Sequence, residues 1–323
     1  MQTPVRDLTR LEPPVALTAT TGPHLVGAVP DAESVDLAVI VPAYNEIAGI
    51  ERTLALVHHV LAGFHQSSEV IVVDDGSADG TGAAAAACGA RVIAHDVNRG
   101  YGAALKTGIL NSRARAVAII DADATYPADA IPRLYARLAH ADMAVGARQL
   151  TSKGVAWIRR PGKWLLNRFA SYLVGRPIPD LNSGLRIMKR DALLRYLHLL
   201  PSGFSFTSTI TMALLANGHP VAYEPIDYSK RAGRSKIRAS HFGSFMLLVV
   251  RAIVLFNPLK VFLPLGALLF LLGVVKFIQD IVLWNLSETA VMAFLSAIVV
   301  WAVGLLADMI ARLQMQPPWD RKS

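Results

Sequence analysis

Short apolar segments rich in β-branched residues alternate with helix-like segments through the first half of this 323-residue chain. The alternation predicts five strands, which cover residues 36–42, 69–75, 90–94, 116–120 and 142–147. Helices are expected between them, ending near residue 63, starting at residue 79, and covering 100–111 and 129–140. Strands that alternate with helices are joined by right-handed crossovers and form a mostly parallel, Rossmann-like sheet. The fold class is therefore α/β, with ligands expected beyond the carboxyl ends of the strands.

Two aspartates that flank Ala122 follow the fourth predicted strand. Residues i and i+2 of an extended segment point to the same side, so Asp121 and Asp123 present their carboxylates together. Paired carboxylates suit a hard cation such as Mg²⁺ or Mn²⁺. A solvated turn before Pro127 is the plainer interpretation of an isolated Asp-Ala-Asp. Polar clusters also end the first two strands, and the convergence of three clusters on one edge favours a metal site.

Five motifs together resemble family 2 glycosyltransferases with a GT-A fold. They read VPAYNE at 41–46, VDDGSADGT at 73–81, NRGYG at 98–102, DAD at 121–123 and NSGLR at 182–186. Each motif alone is weak, but their order and spacing are similar to those of dolichyl-phosphate mannose synthases and bacterial polyprenyl-phosphate glycosyltransferases. The resemblance runs from about residue 37 to residue 240 and implies an enzyme.

The resemblance implies a nucleotide-sugar donor, linked to UDP or GDP. It assigns the base and ribose to Pro42, Tyr44, Glu46 and either Asp74 or Asp75. Asp121 and Asp123 would hold the metal that bridges the diphosphate, with Ala122 beside the donor. Thr125 stands where relatives often carry Gln, so a third protein ligand is not expected from the sequence. The candidate catalytic residues are Asp121, Asp123 and Arg148.

A basic segment follows the fifth predicted strand. A solvated basic face is one interpretation, and a cradle for an acceptor phosphate is the other, because Arg and Lys match phosphate oxygens. The resemblance assigns that phosphate to Arg148, Arg160, Lys163 and Asn167. Lys163 and Asn167 are four residues apart on one predicted helix face and stand in place of a family Arg and Ser. On this view the basic segment lacks an anion of its own, because the donor diphosphate already has the metal and Lys236.

A second basic loop covers residues 228–238. It resembles the mobile loop that closes over the donor diphosphate in the family. Lys230 or Arg231, together with Lys236, would contact phosphate, and Gly233 would give the loop freedom. A polybasic patch on anionic lipid is the other interpretation, and the two are compatible.

Hydrophobic residues make up 53% of the chain, and the excess lies beyond about residue 242. Two uncharged stretches, at 261–275 and 289–306, approach the length of about 20 residues that a membrane span needs. A buried soluble hairpin is the alternative. The connecting residues 285–288 carry no Lys or Arg, whereas basic residues flank both stretches. The positive-inside rule therefore places both termini and the catalytic domain in the cytoplasm, on a multi-pass protein of the inner (plasma) membrane.

The predicted organisation is a flexible arm, a GT-A domain, an interfacial helix, two transmembrane helices and a cytoplasmic tail. Their residues are 1–34, 35–240, 241–257, 258–312 and 313–323. A net charge of +8 suits anionic lipid and phosphorylated substrates, and without the aromatic–basic interleaving of RNA-binding proteins no nucleic-acid partner is expected. The single cysteine, Cys88, excludes an internal disulfide. The lipid bilayer is an expected partner, and a homo-oligomer is possible.

The predicted reaction is transfer of a hexosyl group to a polyprenyl phosphate, expected to be undecaprenyl phosphate, by single displacement with inversion. A phosphate acceptor is already ionised near neutral pH, and residues 203–212 contain no carboxylate to act as a base. Relatives that use a hydroxyl acceptor usually carry an acid pair near there. Such a glycolipid or polysaccharide synthase is the first alternative, and a non-catalytic membrane scaffold is the second. The identity of the sugar stays open.

Overall fold

The computed structural model describes residues 35–148, 168, 171–172, 174–203, 205–228, 257–284 and 287–315, together with the backbone of 24–26. Several predicted features lie outside these residues. They are Arg160, Lys163, Asn167, Lys230, Arg231, Lys236, nearly all of the interfacial helix, and most of the N-terminal arm and the C-terminal tail.

The described strands and helices follow the predicted alternation. The strands are β1 His24–Val26, β2 Leu37–Ala43, β3 Ser68–Asp74, β4 Arg91–Ala94, β5 Ala116–Ile119, β6 Met143–Arg148, β7 Arg186–Lys189 and β8 Val221–Ile226. The helices are α1 Ile47–Ala62, α2 Thr81–Ala87, α3 Tyr101–Leu110, α4 Ile131–Arg137, α5 Arg190–Tyr196, α6 Phe206–Ala216, α7 Leu259–Val282 and α8 Glu288–Met315. All five predicted strands form. Most of their ends lie one residue away from the predicted position.

The strands form one mixed sheet in the order β1-β4-β3-β2-β5-β7-β6-β8. The central strands β4, β3, β2 and β5 are parallel, as predicted. Strands β7 and β8 were not predicted; β7 lies antiparallel between β5 and β6, and β8 pairs parallel with β6. Strand β1 falls within the residues of the predicted flexible arm and pairs antiparallel with β4.

Alternate residues of each central strand enter two separate hydrophobic layers. Ile40 of β2 packs into the layer formed by α3, α5 and α6, whereas Val39 and Val41 pack into the layer beneath α1, α2 and α4. All three side chains are fully buried. The continuous apolar sequence of β2 is therefore explained by burial on both faces, as expected for a parallel strand.

Helices α7 and α8 form an apolar hairpin, and both are long and apolar enough to cross a membrane. Only 11% of the apolar window of α7 and 17% of that of α8 are buried, so a buried soluble hairpin does not fit. A glycine on each helix leaves room for an aromatic ring of the other helix. Gly266 of α7 lies against Trp301, and Gly304 of α8 lies against Phe262. Val261, in the first turn of α7, packs onto the α3–α5–α6 layer of the sheet domain.

Candidate active site

The turn after β5 carries the two aspartates and is fixed to helix α1. Thr53 of α1 donates a hydrogen bond to the carbonyl of Ala122 at 2.9 Å and accepts one from the amide of Ala124, also at 2.9 Å. Ala124 has a φ of +54°, a left-handed conformation that an L-residue adopts only where its surroundings impose it. The Asp121–Asp123 segment is therefore held in one backbone arrangement.

The Asp121 carboxylate is oriented by two residues that the sequence analysis did not select individually. Tyr101, the first residue of α3, donates a hydrogen bond from its hydroxyl to Oδ1 of Asp121 at 2.9 Å. Gly184 packs so closely on the same carboxylate that a Cβ at this position would collide with it. Burial and the neighbouring Asp121 raise the pKa of Tyr101 well above its usual value, so the phenol stays a neutral donor.

The Asp123 carboxylate is held by Thr125. The Thr125 hydroxyl donates to Oδ1 of Asp123 at 2.6 Å, and the Thr125 amide donates to the same oxygen at 3.2 Å. Thr125 is almost fully buried, so this arrangement is rigid. Within the described part of the chain, no group of three or more His, Cys, Asp and Glu side chains could hold a metal. The hard oxygens of Asp121 and Asp123 fit Mg²⁺ or Mn²⁺, with the other ligands to come from a substrate.

The loops after β2 and β3 are linked to each other. The Asn45 side chain, at a residue with a φ of +51°, accepts a hydrogen bond from the Ala78 amide at 2.9 Å. The Glu46 amide donates to the Thr81 hydroxyl at 3.0 Å. Tyr44, one of the predicted donor-binding residues, is 39% exposed, so its ring lies at the protein surface. Pro42, in contrast, is buried within β2.

Asp75 faces inward and organises the loop that leads to α3. Its Oδ1 accepts hydrogen bonds from His95 Nδ1 at 2.7 Å and from the Arg99 amide at 2.9 Å, and its Oδ2 accepts one from the Gly100 amide at 2.8 Å. The neighbouring Asp74 accepts a hydrogen bond from the Ser77 amide at 3.0 Å. Asp75 thus positions the start of α3, where Tyr101 reaches Asp121.

Arg148, at the end of β6, forms a bidentate ion pair with Asp180. The distances are 2.7 Å from Nε and 2.9 Å from Nη2, and Asp180 is fully buried. The expectation of a basic segment without an anion of its own is therefore wrong for Arg148, which has Asp180. Burial opposes the charge of Arg148, but Tyr126 and Asp180 outweigh that cost and raise its pKa. Its Nη1 makes no hydrogen bond with the described residues, which leaves one guanidinium edge for a ligand.

Arg186 lies fully buried beneath the site. Its guanidinium donates to the carbonyls of Ser183 and Thr207 and to the hydroxyl of Thr211, at 2.5 to 3.1 Å. These bonds join the loop before Gly184 to helix α6. Burial lowers the pKa of Arg186 from its usual value. Tyr101 and Arg186 each fall within a motif that the sequence displays, whereas nothing in the sequence signals Thr53, Tyr126 or Asp180.

Comparison with known proteins agrees with this architecture. The family model described as glycosyl transferase family 2 matches residues 38–197, and a model described as the GtrB C-terminal hairpin matches residues 257–313. A dolichyl-phosphate hexose transferase from Haloferax volcanii is 31% identical over 204 residues, which cover 62% of this chain and 86% of that protein. The chain belongs to glycosyl transferase family 2. It is therefore a glycosyltransferase, and the predicted family and enzyme class are confirmed.

Other relatives of this glycosyltransferase share the same domain. A polyprenol monophosphomannose synthase from Mycolicibacterium smegmatis is 30% identical over 227 residues, covering 65% of this chain and 84% of that protein. An undecaprenyl-phosphate 4-deoxy-4-formamido-L-arabinose transferase from Pseudomonas aeruginosa is 31% identical over 199 residues, covering 57% of this chain and 58% of that protein. Among solved structures, a glucosyl-3-phosphoglycerate synthase from Mycobacterium tuberculosis has a TM-score of 0.55 at 21% identity, covering 68% of this chain and 78% of that chain. This likeness shows the fold.

Gly184→Ala tests the contact between Gly184 and Asp121. The added methyl group must displace the Asp121 carboxylate, so we expect sugar transfer to fall by about 10²-fold, the scale for misplacing a reacting group by about 1 Å. Gly203→Ala is the matched control, because a Cβ there has no neighbour within 4 Å. Transfer of radiolabelled sugar and thermal unfolding are measured for both. Normal transfer by Gly184→Ala would show that Asp121 tolerates displacement.

Proposed function

We propose that the enzyme transfers a hexosyl group from a nucleotide sugar to a polyprenyl phosphate at the cytoplasmic face of a membrane. One observation carries the proposal: a carboxylate pair and a charged arginine edge lie on a domain that contacts, through Val261, the first of two helices of spanning length. The carboxylates suit a metal-bound diphosphate, and the arginine suits a second phosphate. Three of the relatives are named for a dolichyl, polyprenol or undecaprenyl phosphate, which supports this acceptor class.

On the donor side, Asp121 and Asp123 would hold Mg²⁺ or Mn²⁺. Such an ion neutralises charge on the leaving nucleoside diphosphate. The Mycobacterium tuberculosis synthase was solved in complex with Mn²⁺ and uridine diphosphate, which supports the same ligand class here. Tyr44, Glu46 and Ala122 remain the candidate contacts to the nucleotide.

The remaining predicted donor-binding residues have different surroundings, and we propose a different role for each group. Pro42 would act through the backbone shape of β2, since its ring is buried. Asp74 and Asp75 already accept hydrogen bonds from the protein, so we propose that they shape the donor pocket as well as bind in it. Lys230, Arg231 and Lys236 are proposed to close over the diphosphate.

On the acceptor side, Arg148 would bind the lipid phosphate through Nη1. Asp180 occupies the other edge of the guanidinium and fixes its direction, which is how a paired arginine can still act as a ligand. Arg160, Lys163 and Asn167 are proposed to complete this phosphate site. The acceptor preferred by the enzyme is proposed to be undecaprenyl phosphate.

The proposed chemistry is a single displacement. An oxygen of the acceptor phosphate forms a bond to the anomeric carbon while the bond from that carbon to the nucleoside diphosphate breaks, which inverts the configuration. A phosphate monoester has a second pKa of about 6, so no base is needed near neutral pH. Helix α6 agrees with this, because its Thr207 carbonyl and Thr211 hydroxyl accept from Arg186 and the helix contains no carboxylate.

The proposed topology places the catalytic domain and both termini in the cytoplasm, with α7 and α8 crossing the membrane. The short connection between the helices carries no Lys or Arg, and Arg312 lies in the last turn of α8. Asp280, near the end of α7, accepts hydrogen bonds from the amide and hydroxyl of Ser287 at the start of the next helix. These bonds close the hairpin.

A donor and acceptor panel tests the proposed function. Purified enzyme in detergent is incubated with radiolabelled UDP- and GDP-sugars, Mg²⁺ or Mn²⁺, and undecaprenyl phosphate. We expect label in the lipid phase with one donor, as a glycosyl phosphodiester whose anomeric configuration, measured by NMR, is opposite to that of the donor. Transfer to a hydroxyl-bearing glycolipid in place of the phosphate would contradict the proposal, and no transfer from any donor would indicate a scaffold.

Asp123→Asn tests the metal assignment. Loss of one anionic oxygen weakens the stabilisation of the leaving diphosphate, so we expect transfer to fall by at least about 10²-fold. Mn²⁺ affinity, measured by electron paramagnetic resonance without donor, should fall as well. Asp129→Asn removes an exposed carboxylate from the same region and serves as control. Unchanged Mn²⁺ binding by Asp123→Asn would show that Asp123 is not a metal ligand and has only a structural role.

Arg148→Gln tests the acceptor site. We expect a raised KM for a short-chain polyprenyl phosphate in detergent, with unchanged affinity for the nucleoside diphosphate. Arg137→Gln is a matched control, because Arg137 also pairs with a carboxylate: its Nε and Nη2 both donate to Oε2 of Glu224, at 3.1 and 2.8 Å. If both variants change the acceptor KM equally, or neither does, Arg148 is only a structural ion pair.

A further inference from the structure

A cavity of 1190 Å³ opens at the edge of the sheet opposite to Asp121. It lies where β5 and β6 begin and β7 ends, beside the last residues of α1 and α4. Asp121 stands beyond the other end of β5, roughly 16 Å away at about 3.3 Å per residue. The cavity is therefore separate from the candidate active site and has no part in the proposed reaction.

Positive charge dominates the lining of this cavity, which we term the basic cleft. Its cations are Arg113, Arg115, Lys189, Arg190 and Arg195, against the carboxylates Asp142 and Asp191. Lys189 lies 3.0 Å from Asp142, and Arg115 lies 3.8 Å from Asp36. The other three arginines form no ion pair with any residue that the structure describes. Cations from two segments of the chain, 113–115 and 189–195, thus meet in one concavity.

Arg190 supplies a second observation. Its Nε is buried and has no hydrogen-bond partner among the described residues, although its backbone amide donates to the Arg115 carbonyl at 2.9 Å. A buried donor on a charged group is unfavourable unless an acceptor satisfies it. No described side chain supplies that acceptor, so the protein leaves part of the hydrogen-bonding capacity of this guanidinium unused.

The fold itself offsets only part of this charge. Helices α1 and α4 end at the cleft, and each helix end contributes a partial charge of about −0.5. Together they amount to about one negative charge, whereas the cationic side chains outnumber the carboxylates by three. Apolar groups complete the lining, including the rings of Phe64 and Tyr135, which pack edge to face at 5.2 Å. The cleft therefore offers both a cationic wall and an apolar wall.

We propose that the basic cleft binds a phosphorylated small molecule at a site distinct from the active site. Guanidinium groups match phosphate oxygens in pairs, and several of them can hold a diphosphate without a metal. The apolar wall formed by Phe64 and Tyr135 suits an organic portion attached to the phosphate. Binding in the cleft is independent of divalent metal, whereas a donor diphosphate at Asp121 and Asp123 depends on it.

Metal-free binding of inorganic pyrophosphate tests this proposal. The full-length enzyme in detergent, with EDTA present, is titrated by isothermal calorimetry. We expect saturable binding at one site, weakened at least about tenfold in Arg113→Gln/Arg190→Gln because two charge-assisted contacts are lost. Arg52→Gln/Arg133→Gln removes two exposed arginines outside the cleft and should bind as the wild type does. Arg190→Lys should bind pyrophosphate with intermediate affinity, since lysine keeps the positive charge but lacks the paired N–H donors of a guanidinium.

Three results would overturn the proposal. The first is no pyrophosphate binding by the wild type in EDTA. The second is equal weakening in the cleft variant and the control variant, which would indicate general charge attraction. The third is tighter binding of anionic lipid in mixed detergent micelles by the wild type than by the cleft variant, without binding of pyrophosphate, which would make the cleft a membrane contact. Thermal unfolding of each variant without ligand identifies any loss that comes from misfolding.

Discussion

Repulsion between two carboxylates at the end of one short strand is the interaction that the rest of the site is arranged to control. Asp121 and Asp123 follow β5 two residues apart, so two negative charges are brought to one strand end, where like charges repel each other. The protein places a neutral hydroxyl on one oxygen of each, from Tyr101 and from Thr125. Thr53 fixes the intervening backbone. The pair is therefore rigid before any ligand arrives, which reduces the cost of organising the site on binding.

Support for this pair extends through three strand ends. Asp75, at the end of β3, holds the amides that precede α3, and α3 begins with the tyrosine that reaches Asp121. From the other side, buried Arg186 and the Tyr126 hydroxyl hold the loop that carries Gly184. Some motif residues of this family thus act on one another rather than on a ligand. A carboxylate such as Asp75 can be essential to the site while its oxygens face the protein.

The sequence predicted the local features of this protein well and the non-local ones poorly. Strands β2 to β6 follow from apolar runs, and Asp121 and Asp123 follow from their place after such a run. Strand β7 was not predicted from the sequence. Its four residues lead directly into α5, and its antiparallel partner strands are more than 40 residues away along the chain. The Arg148–Asp180 pair joins residues 32 apart in sequence, and no periodicity marks such a pairing. The expectation of an unpaired arginine was wrong for that reason.

The packing of Val261 onto the catalytic domain has a consequence for how the enzyme meets a membrane-bound substrate. A domain joined to its anchor by a free linker would sample many heights and orientations above the bilayer. Here the first turn of α7 contacts the domain's own hydrophobic layer through Val261, which restricts the heights and tilts that the site can adopt. For a substrate confined to the membrane, the search for this site becomes lateral diffusion in two dimensions. Encounter would then depend on the surface density of that lipid rather than on its concentration in bulk.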